Sequence, residues 1–430
     1  MSGREGELNL KFLAVSYGAV YFSEGSFRSL GIFLPLFLMD PTLDFGLSLS
    51  DIAFILAMAY IAWNFKFILG LLVDLTPMIR GFRRKIWIVS GEIFRVVGII
   101  LICSFNTVPI IFIGAFIALT GDAMIDMGAD ALLIDAAPPD WHGLSLGTGW
   151  ASRAIGYSIS SIVTVFVVMN FGWFFGWLVF ILYSLPVVMI LFIREPPLTK
   201  EREVSKEAIA LTFSDIRSAT SFFFLAFFSG ACYALDPNRG LLSVISSAKL
   251  GLVKATTLHE YLAQLPIIGL IMASFGIAAA VGALIMGSYT DKMGHRKSYY
   301  LSLTGFLFAL SLWLTDLEVV GMAFYPSNPI LGGIVFLSVI LGFFEGWNFV
   351  AWETLIADLC PPQLTSFVFQ YGMTGTHFSA FLVAFVAGYI IESYGIIATL
   401  IIVISIIAVG YIPVLFFRPF RTSKIILGGE

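Results

Sequence analysis

Ionised side chains are scarce in this 430-residue chain: Asp, Glu, Lys and Arg together make up 12% of it, about half the share of an ordinary soluble domain. Cysteine and histidine are scarcer still, with three and four residues. Cys103, Cys232 and Cys360 lie in or at the end of apolar stretches, in no metal-ligand spacing and no disulfide framework. No basic run exceeds a few residues and the formal net charge is −4, which gives no basis for a nucleic-acid partner. The chain has no Gly-x-x-x-x-Gly-Lys-Ser/Thr loop to cradle phosphates and no His-Glu-x-x-His pair. Gly143-Leu-Ser145-Leu-Gly147 has the form of a nucleophile elbow. Such an elbow follows a strand, whereas this segment opens a helical stretch, where small residues let helices pack closely. The expectation is therefore no enzyme, no cofactor and no metal.

What is abundant is apolar. Hydrophobic residues make up 59% of the chain, about 254 positions, with 42 Phe and a mean hydropathy of +0.94. A dozen bilayer spans of about 21 residues need roughly that number. Twelve apolar runs of spanning length follow, at about 12–38, 49–74, 85–105, 108–136, 143–168, 172–193, 216–235, 264–290, 297–315, 329–357, 363–391 and 394–417. The first is too long for the core of a signal peptide and carries Glu24 and Arg28, so no cleaved leader is expected. The charged stretch 194–215 divides residues 1–193 from 216–430 and reads as a solvated linker between two six-helix halves. With the amino terminus inside, the inner segments hold 17 of the 24 Lys and Arg. By the positive-inside rule both termini are cytoplasmic, in a multi-pass protein of the plasma membrane. A long outer loop from Asp236 to Gln264 has room for an interfacial helix.

The halves repeat one another. Gly70 and Asp74 match Gly287 and Asp291 at an offset of 217, and Asp135-Ala-Ala-Pro-Pro matches Asp358-Leu-Cys-Pro-Pro at 223. The second offset also aligns Asp122 with Glu345 and Asp130 with Glu353. A duplicated six-helix unit is an architecture of many secondary transporters.

Gly70-x-x-x-Asp74 followed by Gly81 and the basic Arg83-Arg84-Lys85, repeated as Gly287-x-x-x-Asp291-Lys-Met-Gly294-His-Arg296-Lys297, resembles the signature loop of the major facilitator superfamily. Pro138-Pro-Asp-Trp-His142-Gly143 is similar to that superfamily's Pro-Pro-Glu-Arg-Arg-Gly turn, with His142 where Arg is usual. Three further segments, Trp63-Asn-Phe-Lys66, Gly121-Asp122-Ala-Met-Ile-Asp126 and Gly149-Trp150-Ala-Ser-Arg153-Ala-Ile-Gly156, resemble the muropeptide permease, acetyl-coenzyme A transporter and folate–biopterin transporter group. The resemblance implies an all-α integral membrane protein of twelve helices in two pseudo-symmetric bundles, acting as a monomer. It would move a small organic solute, often anionic and often with protons, by alternating access. Export of amphipathic cations, or solute sensing without transport, remains the alternative.

Charged residues inside the spans follow from cost. Each ionised group at the bilayer centre costs roughly 2.5–3.5 kcal/mol on the lenient insertion scale, so each needs a partner or water. Asp122, Asp126 and Asp130 recur at every fourth position, one helical stripe on which not all three carboxylates can stay ionised together. They either couple protons and solute or pair with neighbouring cations. Glu24, Arg28, Lys66, Asp122, Asp126, Arg153, Glu345 and His377 form the expected substrate and coupling set. Arg28 and Arg153 either clamp an anionic solute, because guanidinium matches carboxylate geometry, or neutralise Glu24 and the three aspartates; Arg28 is also placed to meet Asp126. Glu92 and Arg95, three apart, read as a structural pair within their own helix. By resemblance, Asp74, Arg83, Arg84, Asp130, Asp135, Asp291, Arg296, Glu353 and Asp358 form an inner gate between the halves.

Overall fold

The computed structural model describes residues 10–38, 61–196, 258–360 and 362–409, with isolated positions among 43–59 and 204–250; side chains at 32, 35–36, 258–266, 268, 381, 384–389 and 391–392 are not considered. All its regular elements are helices. The first span is α1 (Leu10–Arg28) and α2 (Leu30–Leu38), broken at Ser29. The described part of the second is α3 (Ile61–Asn64) and α4 (Lys66–Leu75). The third, fourth and fifth are α5 (Lys85–Ser104), α6 (Val108–Ala136) and α7 (His142–Phe171). The sixth begins as α8 (Trp173–Leu182) and tightens to a 3-10 helix over Leu185–Phe192, where Pro186 removes a backbone donor. In the second half come α9 (Leu258–Met293), α10 (His295–Ser311), the short α11 (Leu317–Met322), α12 (Pro329–Ala357) and α13 (Thr365–Val409). Among the described residues six helices are long and apolar enough to cross a membrane.

Several boundaries differ from expectation. The eighth span starts at Leu258, so the end of the presumed outer loop is helix. The seventh span, most of the linker and the end of the twelfth span lie outside the described residues. The eleventh and twelfth spans are the two helical parts of α13, divided as expected at Gly395, which is non-helical with φ 82° and ψ 174°. Gly172, between α7 and α8, has φ 83° and ψ 175°. The two glycines are 223 apart in number, so the repeat seen in the acids recurs as one left-handed backbone corner that favours Gly.

Within each half, glycines bring backbones together. An added Cβ at Gly25 in α1 would lie 2.0 Å from the Arg153 carbonyl oxygen of α7, and one at Gly156 would lie 2.3 Å from that of Phe22. Between α9 and α12, one at Gly346 would lie 2.0 Å from the Ala279 carbonyl. Such small-residue seams are how helices associate where lipid supplies no hydrophobic drive. Between the halves the contacts run from α7 to α9 and from α4 to α13.

Candidate functional site

The charged residues of the spans turn inward. Glu24, Arg28, Lys66, Arg95, Asp122, Asp126, Asp130, Arg153, Glu345 and Glu353 are all buried, as the cost of exposing charge to hydrocarbon requires. In α1, Glu24 accepts from Arg28, one turn away, at 2.7 Å, and Arg153 of α7 approaches the same Glu24 oxygen at 3.6 Å. The Lys66 ammonium bonds the Asp126 carboxylate, which also accepts from the Tyr21 hydroxyl at 3.3 Å. Trp63 lies between two of these cations: the Arg28 guanidinium is 4.3 Å and the Lys66 ammonium 4.1 Å from its ring centre, within cation–π range. His377 of α13 sets its ring 5.6 Å from the same indole.

The remaining stripe acids have separate surroundings. Asp122 is held by Arg95 at 2.9 Å, and Arg95 also donates to Glu92 at 2.7 Å and to the Ser23 hydroxyl at 2.5 Å. Arg95 therefore does more than pair within its own helix; close packing at Gly91 and Gly121 brings the third span near enough for it to reach the fourth. Asp130 accepts from Tyr17 at 2.8 Å and Tyr21 at 2.5 Å through one oxygen, and from the Gln370 amide at 3.0 Å through the other. Glu353 accepts from the Trp150 indole at 2.5 Å. Arg28 is bound to Glu24 and stacked on Trp63 rather than on Asp126.

Between α7, α9 and α12 is an open-sided cavity with about 40 Å³ of room for water-sized groups. Arg153 and Glu345 supply its charge, and Trp150, Tyr157, Phe275 and Phe349 supply aromatic wall. Trp150 and Phe349 stack across the halves, centres 4.4 Å apart and planes 10° apart. The Arg153 guanidinium sits 4.1 Å from the Trp150 ring centre.

One end of the bundle is closed by two copies of a single device. The Asp74 carboxylate accepts the backbone N–H groups of Ser366 and Phe367 at 3.2 and 2.8 Å, the opening turn of α13. Asp291 accepts those of Gly143 and Leu144 at 2.8 and 2.9 Å, the opening turn of α7. Each acid thus caps a helix of the other half, where unpaired N–H groups and the helix dipole favour an anion. The pairs map onto each other by the two offsets: Asp74 to Asp291 by 217, Gly143 and Leu144 to Ser366 and Phe367 by 223. In the first half Arg84 bridges Asp74 at 2.7 Å and Asp135 at 2.9 Å, while Arg83 donates to the backbone carbonyls of Asp74 and Thr76. Thr365 adds a cross-half bond to Asp135 at 3.2 Å.

In the second half the bridging place belongs to His295, which the sequence reading passed over in favour of the exposed Arg296. His295 bonds Asp358 through Nδ1 and lies 3.4 Å from Asp291 through Nε2. Burial pulls its pKa down, but hydrogen bonds and charge from the two carboxylates outweigh that and raise it to about 9. A raised folded-state pKa contributes stability in full below the unfolded value, near 6.5, and loses it as pH climbs through 9. Purified protein should therefore lose melting temperature on going from neutral to strongly alkaline buffer more steeply than the His295→Ala variant, read by thermal unfolding. Parallel profiles would remove the bridge. Glu195 was also missed. Expected in a solvated linker, it accepts the N–H groups of Arg83, Arg84 and Lys85 at 3.0, 2.9 and 2.8 Å, capping α5. Only its place just after an apolar span hinted at this.

Two bundles of helices, charge kept inside, and one end latched by a repeated Asp-to-helix contact define an integral membrane protein of duplicated helical plan. The profile of the Major Facilitator Superfamily matches residues 13–247 and again 240–430, and the chain belongs to that superfamily. Over 263 residues it is 24% identical to the cis,cis-muconate transport protein of Acinetobacter baylyi (strain ATCC 33305 / BD413 / ADP1), an alignment spanning 58% of this chain and 57% of that one. The fold is similar to the crystal structure of the major facilitator transporter FucP in the outward conformation, with a TM-score of 0.64 and 13% identity over 94% of this chain and 99% of the other.

Proposed function

We propose that this chain carries a planar organic anion across the plasma membrane, with protons, by alternating access, and that both termini face the cytoplasm. The observation that carries the reading is Arg153 laid on Trp150 at the edge of an aromatic-walled cavity. Guanidinium binds carboxylate in a bidentate fork, and the rings offer faces to an unsaturated skeleton. The muconate transporter is a relative whose named cargo has that chemistry. The finer resemblance to the muropeptide, acetyl-coenzyme A and folate–biopterin group likewise points to a sizeable organic anion. In the cycle, the Asp74 and Asp291 caps hold one end shut, and their release lets the halves turn about the cavity.

Among the described residues buried acids exceed buried cations in the spans: Glu24, Asp74, Asp122, Asp126, Asp130, Glu345 and Glu353 stand against Arg28, Lys66, Lys85, Arg95 and Arg153. The excess suits proton carriage. It equally favours a second reading, export of amphipathic cations, in which Glu345 holds the cargo. Vesicles containing the purified protein and an imposed pH gradient separate the readings. Uptake of labelled benzoate or muconate, lost in Arg153→Ala and kept as exchange in Glu345→Gln, is the expected result. Movement of tetraphenylphosphonium, spared by Arg153→Ala and lost in Glu345→Gln, establishes the second reading instead. No movement of either probe leaves a sensor.

A further inference from the structure

We propose that Asp130 and Glu353 hold a single proton between them, and that losing it separates the halves at the latched end. This rests on the transport reading above and moves the coupling role from Asp122, Asp126 and Glu345 to a pair first expected only in the gate.

The two acids are counterparts in the repeat, 223 apart, on α6 and α12. Each is tied to the opposite half: Asp130 by Gln370 of α13, Glu353 by Trp150 of α7. Tyr21, which bonds Asp130, and Trp150, which bonds Glu353, have ring centres 6.5 Å apart, edge to face, so the repeat brings both copies of one acid toward the line between the halves. Among the described residues the hydrogen-bond donors to the pair are neutral: Tyr17, Tyr21, Gln370 and Trp150. Among the described residues no ion pair reaches either carboxyl, whereas Asp122 and Asp126 are each held by a cation. The groups facing the pair are Tyr17 and Tyr21 from α1, Lys66 from α4, Asp126 one turn along α6, Arg153 beside Trp150 on α7, and Cys360 just past α12. Lys66 and Arg153 are engaged with Asp126 and Glu24.

An independent sign of a missing hydrogen is Gln370 itself. It is fully buried, its amide nitrogen serves Asp130, and among the described residues its amide oxygen has no donor. A buried oxygen needs a donor, and a proton on the neighbouring carboxyl is one that Asp130 can supply. With one proton on the pair, the site carries one negative charge and the contacts across the halves are kept. With none, two like charges meet in a dry interface. The halves part, water enters, and the proton has gone to that water. Re-protonation from either side of the membrane completes a one-proton cycle.

Two measurements on full-length protein test the pair without any cargo. The first is the infrared C=O stretch of a protonated buried carboxyl, titrated from acid to alkaline buffer. Its midpoint should move by more than about one pH unit in Asp130→Asn and in Glu353→Gln, and the component that titrates with the pair should vanish in the double variant. The second is alkylation of Ser145→Cys, behind the Gly143–Asp291 contact, in a cysteine-free His295→Arg background. Its rate relative to free cysteine at the same pH, which removes the thiolate's own pH dependence, should rise with pH, lose that rise in the double variant, and keep it in Asp122→Asn. A titrating component or a pH-dependent relative rate that survives the double variant unchanged overturns the proposal. Because neither reading needs transport, an idle protein in the vesicle assay would sink the anion reading separately.

Discussion

Lys66→Met should be among the most damaging single changes in the chain. Removing one member of a buried ion pair leaves the other charge uncompensated, at a cost of about 3–5 kcal/mol. Lys66 and Asp126 form such a pair, both buried, and the Tyr21 hydroxyl at 3.3 Å is a weak substitute. The variant should give little folded protein, measured as monodisperse yield and melting temperature. Adding Asp126→Asn should recover most of the loss, because neutral groups of similar shape replace the pair. Transport should stay absent in the double variant if the pair also serves the cycle. Full activity there would reduce Lys66 and Asp126 to structural neutralisation.

The second large effect depends on where a glycine sits. A Cβ at Gly143 would lie 2.5 Å from an Asp291 carboxylate oxygen and 2.7 Å from the Gly287 carbonyl, both in the other half. Gly143→Val should leave each bundle folded and prevent this end from closing. Uptake should fall below detection while the melting temperature changes little, and Ser145→Cys in that background should alkylate at an open-state rate. The same substitution at Gly25, where the Cβ would meet the Arg153 carbonyl at 2.0 Å, strikes inside one bundle. There the expected result is loss of folded protein. Equal behaviour of the two variants would deny that the Gly143 seam opens and closes.

Span positions and the duplicated plan were legible because they are written in local quantities: apolar run length, loop charge, and identical residues at a fixed offset. The latch acids were legible for the same reason; Asp74, Asp291, Asp135 and Asp358 recur. What stayed hidden was which neighbour each charge meets. Arg95 reaches Asp122 only because Gly91 and Gly121 let two helices nearly touch, and no periodicity within one helix announces that approach. Tyr17, Tyr21 and Trp150 look like apolar filling until their polar ends are seen on Asp130 and Glu353. His295 was passed over because an arginine stood beside it where the resembled loop led one to look. Glu195 carries no motif; its meaning comes from the helix start it meets.

Arg84 and His295 occupy corresponding places, each spanning two carboxylates, yet only the imidazole can shed its charge within the range of living cells. The scaffold is a mirror in shape but lopsided in chemistry. Alkaline surroundings would slacken one fastening and leave its twin taut. The protein would then yield first along the edge shared by the fifth and eighth spans, like a door with one worn hinge.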